Sequence, residues 1–322
     1  MSSTSGRPAT FTLFETADDP NQWRKAVEQV KAGNLNGSNV FPQVGSRPTG
    51  LVFSLTSYHP FMAKPTFMRL STTLDHDQLV AEMRKPEVKA QIMAEENSPT
   101  EFPGKMETVI VNAPLSMDMA FPLDENSTYE PRHEDSIGAR AAKAGYNDPR
   151  SYLYDYLVGN DGRDFAIVFF TNYADYTLDP VRDMQMDSAT VTGLSDGGAH
   201  VNLIFDAVNP TYQLTYWGRD RTRGQTMPLA HLIHRQTRRN AELFGFNDRG
   251  LIAPGMRADI NVIDFENLKL GTLELRRDLP SGGQRLMQGA SGYLATLING
   301  VMTRKNDVDT GERPGRLLRS AH

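Results

Sequence analysis

Two rhythms of apolar and polar positions run along this chain, and the change between them falls near residue 245. Before it, short β-prone apolar runs alternate with stretches of helical spacing. The first run is Ala9-Thr-Phe-Thr-Leu-Phe14, followed by Asp18-Asp-Pro-Asn21, a helical pattern from Trp23 to Val30, and a strand-like Gly37 to Gln43. Strand, helix and strand within about 40 residues is the period of a βαβ unit, which implies parallel pairing. Leu51 to Leu55 is apolar, His59 to Phe67 is rich in proline and aromatics and predicts irregular structure, and a polar helix follows from about Asp75 to Glu95, broken at Pro86. Such an excursion reads either as a lid or binding insertion, or as a solvated helical hairpin with no function.

The α/β rhythm resumes at Glu134 with a helix to about Ala144 and a second one opened by Asp148-Pro149 and running through Val158. A strand at Phe165 to Phe170, a short helix from Asp179-Pro180 and a β-branched run at Val191 to Leu194 follow. A long helix from Pro228 to Phe244, apolar along Leu229, Leu232, Ile233 and Leu243, closes this part. Beyond Gly245 come short β segments at Gly250 to Gly255, Ala258 to Asp264 and Gly292 to Val301. Tyr293 to Gly300 followed by Val301 to Arg304 predicts a hairpin with a type I′ turn at Asn299-Gly300. The expected division is an α/β part over residues 1–245, with an insertion at about 56–130, and a small β module over 246–322.

Composition narrows the function classes. A length of 322 residues suits roughly two domains, or one barrel with an appendage. No apolar run approaches the roughly 18 to 20 residues of a membrane span, and the opening Met-Ser-Ser-Thr-Ser-Gly-Arg lacks the apolar core of a secretory signal, so a cytoplasmic protein without a membrane partner is expected. Net charge is −5, and the basic clusters Arg219 to Arg223 and Arg235 to Arg239 are too small and too mixed with acids to argue for nucleic acid. The absence of cysteine excludes disulfides, thiolate metal sites and cysteine nucleophiles. A transition metal would depend on carboxylates and on seven histidines, none of them in a His-x-His pair.

The stretch Gly193-Leu-Ser-Asp-Gly-Gly-Ala-His200 carries the clearest candidate chemistry. Asp196 would project from the C-terminal end of a strand, where parallel α/β folds keep their active sites and where a carboxylate can hold a metal or take a proton from water. Ser-Asp-Gly-Gly is equally ordinary turn chemistry, with Asp196 bonding its own backbone. His200 is the histidine that could reach the same site. His59 reads as part of a packed aromatic corner. His231 and His234, spaced i, i+3 among apolar residues without an intervening acid, read as core-edge or helix-end residues. Arg219, Arg221 and Arg223 offer planar guanidiniums for a substrate carboxylate, against the alternative of pairing with Asp220 and nearby acids.

Taken together, Gly193–Val201, Tyr216-Trp-Gly-Arg-Asp-Arg-Thr-Arg-Gly224 and Asp248-Arg-Gly-Leu-Ile-Ala-Pro-Gly-Met-Arg-Ala-Asp-Ile-Asn-Val-Ile-Asp264 resemble the closing portion of the metal-dependent amidohydrolases, nearest the N-acyl-D-amino-acid deacylases (D-aminoacylases). Asp278-Leu-Pro-Ser-Gly-Gly283, Ile298-Asn-Gly300 and Thr310–Arg319 agree with that resemblance. It implies an α/β fold comprising the C-terminal part of a (β/α)8 TIM-like barrel with an inserted helical segment, plus a small C-terminal β-sandwich portion. It implies a zinc-assisted (Zn2+) attack of water on the amide carbon of a small-molecule substrate, with Asp196 matching the family's metal ligand and proton shuttle. His200 would support the oxyanion or the metal's surroundings, and one of Arg219, Arg221 and Arg223 would hold the substrate's carboxylate.

The family's His-x-His, its further histidines and the deacylases' cysteine have no counterpart here, so the resemblance covers only the later half of the family's pattern. The chain alone is therefore expected to bind catalytic zinc weakly or not at all. Three readings follow. It is a piece of a longer enzyme, the reading the opening strand favours; or half of a two-chain enzyme completed by an upstream half-barrel chain; or a non-catalytic remnant that binds a small acid or a partner.

Overall fold

The computed structural model describes residues 1–99, 110, 114–124, 127–195, 197–198 and 200–319. Its first half holds strands β1 (Ala9–Thr12), β2 (Val40–Val44), β3 (Thr49–Phe53), β4 (Ala120–Leu123), β5 (Phe165–Thr171) and β6 (Val191–Thr192). The remainder holds β7 (Ile260–Ile263), β8 (Lys269–Arg276), β9 (Arg285–Ser291), β10 (Tyr293–Ile298), β11 (Val301–Lys305) and β12 (Val308–Asp309). The fold is mixed α/β, and among the described residues no helix is long and apolar enough to cross a membrane.

The βαβ period at the start is realised. β1, the helix Gln22–Leu35 and β2 form the unit, and β1, β2 and β6 make a parallel sheet in the order β1-β2-β6, with Ala9 opposite Val40 and Gln43 opposite Val191. Trp23, Val27 and Val30 are buried at the spacing of one helical face and hold this helix to the sheet. The C-terminal ends of β2 and β6 therefore lie side by side, with Gly45–Arg47 and Gly193–Ser195 following them.

Between β2 and β6 the structure adds to the expected helical segment a sheet that the sequence did not suggest. β3, β5 and β4 form a separate antiparallel sheet in that order, with β5 at its centre. Flanked on both sides, Phe165–Phe169 buries four successive residues, which gives it the continuous apolar run that a buried parallel strand would also show. Helices Pro65–Thr73, His76–Met83, Pro86–Ala94 and Pro149–Val158 pack on this sheet in a second core containing Phe53, Phe67, Met83, Ile92, Leu153 and Leu157. The first of these occupies part of the segment expected to be irregular. Pro65 stands at its first turn, where a missing N–H costs nothing. The break at Pro86 is as expected, and Asp75 and Gln78 form a reciprocal capping box at the start of the helix His76–Met83.

The long helix expected from Pro228 to Phe244 is divided into Leu229–Gln236 and Arg238–Leu243. Thr237 is the joint, at φ −117 and ψ −89, and its hydroxyl donates back to the Ile233 carbonyl at 2.7 Å. Gly250 to Gly255 forms no strand, since both glycines take positive φ, of 83° and 84°. The hairpin at Asn299-Gly300 is present, with φ of 51° and 79° at the two turn residues. It belongs to a sheet ordered β12-β11-β10-β7. A second hairpin, β8-β9, had no counterpart in the expected elements; its Leu286 amide donates to the Val201 carbonyl at 2.6 Å and so docks it beside the Gly193–His200 turn.

His59 is buried in the second core, edge-on to Phe67 at 4.5 Å between ring centroids, with Nδ1 accepting from the Phe61 amide at 3.3 Å. Burial pushes its pKa down to about 3 from 6.5. A lowered folded pKa means that its contribution to stability is complete above about 6.5 and is lost as pH falls toward 3. Unfolding free energy should therefore decline between pH 6.5 and 5, before most carboxylates titrate, with a slope approaching about 1.4 kcal/mol per unit. His59→Phe should flatten that segment of the curve; an unchanged slope in urea titrations of the variant would contradict this placement.

Candidate active site

The turn that follows β6 is shaped by neighbours it cannot avoid. The Gly193 amide donates to the Val44 carbonyl at 3.1 Å, and a Cβ at this position would lie 2.6 Å from the Gln43 side-chain oxygen. Leu194 adopts the left-handed region at φ 66°, unusual for a branched residue, and Asn209 Nδ2 holds its carbonyl at 2.6 Å. His200 closes the turn at φ 50°, its carbonyl accepting from the amides of Leu203 and Ile204 at 2.8 and 3.0 Å. Left-handed backbone at the non-glycine residues Leu194 and His200 stores strain, a feature that concentrates at functional sites. Ser195, Gly197, Gly198 and His200 are exposed. Asp196 lies outside the described residues.

A buried polar wall stands beside the turn. Arg47, just past the end of β2, directs Nε and Nη2 at one oxygen of Asp206, at 3.2 and 2.6 Å. Its guanidinium lies over the rings of Tyr129 and Phe205 at 4.2 and 4.4 Å. Trp217 Nε1 donates to the Ser46 carbonyl at 2.7 Å, fixing the loop that carries Arg47. Burial pushes the Tyr129 phenol up to about 12, against the opposing pull of Arg47. Tyr212, in the helix Asn209–Thr215, stands edge-on to Tyr129 and stacks on Tyr216 at 4.9 Å. Tyr129, Tyr212, Tyr216, Leu270 and Leu273 contribute to the lining of a cavity of about 560 Å³ between this wall and the β8-β9 hairpin.

The three arginines singled out in the sequence serve different ends. Arg221 has no exposed side-chain surface: Nε and Nη2 grip Glu130 at 3.0 and 2.9 Å, and Nη2 also reaches Asp179 at 2.7 Å. Arg219 pairs with Asp220 and donates to the carbonyls of Phe265, Glu266 and Leu268, so it caps a chain reversal. These two guanidiniums are filled by the protein itself. Arg223 donates through Nη1 to the Glu130 carbonyl at 2.6 Å, while its Nε and Nη2 have no hydrogen-bond partner among the described residues. Glu130, with no exposed surface, further accepts from Tyr216 and from the Leu178 amide. Burial alone would raise its carboxyl, but hydrogen bonds from Arg221, Tyr216 and Leu178 outweigh this and hold it below the ordinary value.

The histidines are dispersed. His76 meets the Asp161 carbonyl, His231 the Gln185 carbonyl, and His234 sits in the last turn of its helix, where a cation is favoured. Among the described residues no three His, Asp or Glu side chains gather to hold a metal ion. A catalytic zinc needs three protein ligands, so these residues do not by themselves fit one. Sequence reasoning missed Arg47, Asn209, Glu130, Tyr212 and Tyr216; only the i, i+4 spacing of the two tyrosines could have drawn attention to a shared helical face.

A model of the amidohydrolase family matches residues 3–303 of the chain. A search of curated proteins gives no match. Among solved structures, one of D-aminoacylase is 16% identical, covers 97% of this chain and 50% of its own, and has a TM-score of 0.48. Another D-aminoacylase structure, concerned with its binuclear metal centre, shares 16% identity over 97% and 50% with a TM-score of 0.47. N-acyl-D-glutamate deacylase from Bordetella bronchiseptica, complexed with zinc and a phosphonate mimic of the tetrahedral intermediate, is 18% identical over 99% and 51%, with a TM-score of 0.44. The chain spans about half the length of these structures.

The Glu130–Arg221 pair gives a direct test of the wall. Glu130→Gln should cost about 3–5 kcal/mol of unfolding free energy, because it leaves a buried guanidinium short of charge compensation. The wild type should also lose stability as pH falls below the ordinary carboxylate value of 4.5, since a lowered carboxyl pKa stabilises only while the group is ionised, and the variant should lack that part of the acid limb. A cost under about 1 kcal/mol in chemical denaturation would contradict a buried pair.

Proposed function

Since the chain belongs to the amidohydrolase family, we propose that it serves hydrolysis of an amide C–N bond in a small molecule, of the N-acyl-D-amino-acid deacylase type, at the Gly193–His200 turn. The observation that carries this reading is the strained Leu194 at the C-terminal end of a parallel strand, locked by Asn209 next to the segment that holds Asp196. In this reading β1, β2 and β6 belong to a (β/α)8 barrel. Asp196 accepts a proton from the attacking water and returns it to the leaving nitrogen. His200, exposed on the far side of the turn, supports the developing oxyanion. Arg223, with two nitrogens uncommitted, is the member of the arginine cluster available to a substrate carboxylate at the rim.

Zinc is the metal this reading brings with it, with Asp196 as one ligand. The described residues supply no complete set, so the remaining ligands would have to come from elsewhere, and an upstream half-barrel chain is one source. The same shortage supports a second reading, in which the chain binds a small acid or a partner without catalysis. Asp196→Asn separates the two. Where the preparation hydrolyses N-acetyl-D-amino acids, the variant should lose turnover by at least about a hundredfold while keeping the wild-type melting temperature. Near-normal turnover in the variant would remove Asp196 from the mechanism.

A further inference from the structure

Three side chains around the turn keep a fully buried polar atom that no protein group satisfies: Arg47 through Nη1, Tyr212 through Oη and Asn209 through Oδ1. Each is otherwise fixed in place. Arg47 is held by Asp206, Asn209 by the Leu194 carbonyl, and Tyr212 by stacking against Tyr216. They belong to one locality. Asn209 and Tyr212 lie one turn apart on the same helix, Tyr212 packs on Tyr129, Tyr129 lies under the Arg47 guanidinium, and Ser46, next to Arg47, donates to the Asn209 carbonyl at 3.4 Å. Buried polar groups are nearly always paired, so this concentration at the end of the parallel strands calls for a function.

We propose that Arg47, Tyr212 and Asn209 form a subsite for a neutral amide group of the ligand, entered past Tyr212, which is the one of the three that lines the cavity. The chemistry follows from the donor and acceptor inventory. Nη1–H and Oη–H are donors, and Oδ1 of an amide that already gives Nδ2 to Leu194 is an acceptor, which together complement a C=O and an N–H. Burial raises the Tyr212 phenol well above its ordinary value, so Oη keeps its proton throughout the working range. Asp206 already neutralises Arg47, so a carboxylate would meet a cation whose charge is spent, and would leave the Asn209 oxygen unsatisfied. A hydrocarbon would satisfy none of the three. This subsite rests on the amide-hydrolase reading for its biological meaning and adds residues outside the Asp196 turn to it.

The test uses N-methylacetamide as probe and binding as readout, titrating the full chain while following ligand-observed NMR saturation transfer. The wild type should bind it saturably, and Tyr212→Phe should weaken binding about fivefold or more, the size of one lost hydrogen bond. The melting temperature of Tyr212→Phe should be unchanged or raised, because the deleted hydroxyl has no protein partner to lose. Arg313→Met, at an exposed pair with Asp309 in the C-terminal segment, should leave the affinity as in the wild type. Absence of saturable binding, equal affinity in Tyr212→Phe, or a fall of several degrees in its melting temperature would overturn the proposal. Because the probe carries no acyl-amino-acid structure and no turnover is read, failure of the subsite is distinguishable from failure of the Asp196 mechanism.

Discussion

The structure turns on one buried ion pair. Glu130 and Arg221 have no exposed side-chain surface and face each other through two hydrogen bonds, 91 residues apart in the chain. Removing two charges from water costs several kcal/mol each, a cost offset only where geometry is close to ideal and the remaining donors and acceptors are filled. Here Tyr216, the Leu178 amide, Asp179 and the Gln225 carbonyl fill them. The pair thereby binds the segment after β4 to the segment after the helix Asn209–Thr215. That helix carries Asn209 and Tyr212, and the single π-helical turn Tyr216–Asp220 at its end allows Arg219 to face the C-terminal module while Arg221 turns inward. Asn209 of that helix also holds the Leu194 carbonyl, so the helix that leads into the ion pair touches the chain after β6 as well.

Short-range features of the fold were legible in the sequence. The helix stops at proline and the Asn299-Gly300 hairpin each depend on residues within a few positions of one another, and the βαβ unit at the start is contained in one uninterrupted stretch from Ala9 to Val44. The failures involve longer range. β5 reads as a buried strand from its composition alone, but nothing within Phe165–Thr171 says whether its neighbours run parallel or antiparallel, because a central strand is apolar either way. The arginine cluster is similar. Arg219, Arg221 and Arg223 look equivalent in a string, and only Glu130 and the three carbonyls of Phe265, Glu266 and Leu268 distinguish them. Arg47 and Asp206, partners across 159 residues, left no local trace at all.

The family match covers nearly the whole chain, while the candidate site is chemically partial. Leu194 and His200 take left-handed backbone, Ser195, Gly197, Gly198 and His200 are exposed, and a buried, polar, tyrosine-rich wall with a cavity lies beside them. The described residues do not gather the His and carboxylate ligands that a metal-assisted attack on an amide needs, although Asp196 follows the left-handed Leu194 by two positions in the sequence.

That combination makes metal stoichiometry the most direct measurement. The purified 322-residue chain would be equilibrated with zinc, desalted and analysed by elemental mass spectrometry beside its Asp196→Asn variant. The account predicts retention far below one zinc per chain in both, with occupancy appearing only when further ligands are supplied in trans. Retention close to one zinc per wild-type chain, lost in Asp196→Asn, would contradict it and show that the chain completes the site with its own residues.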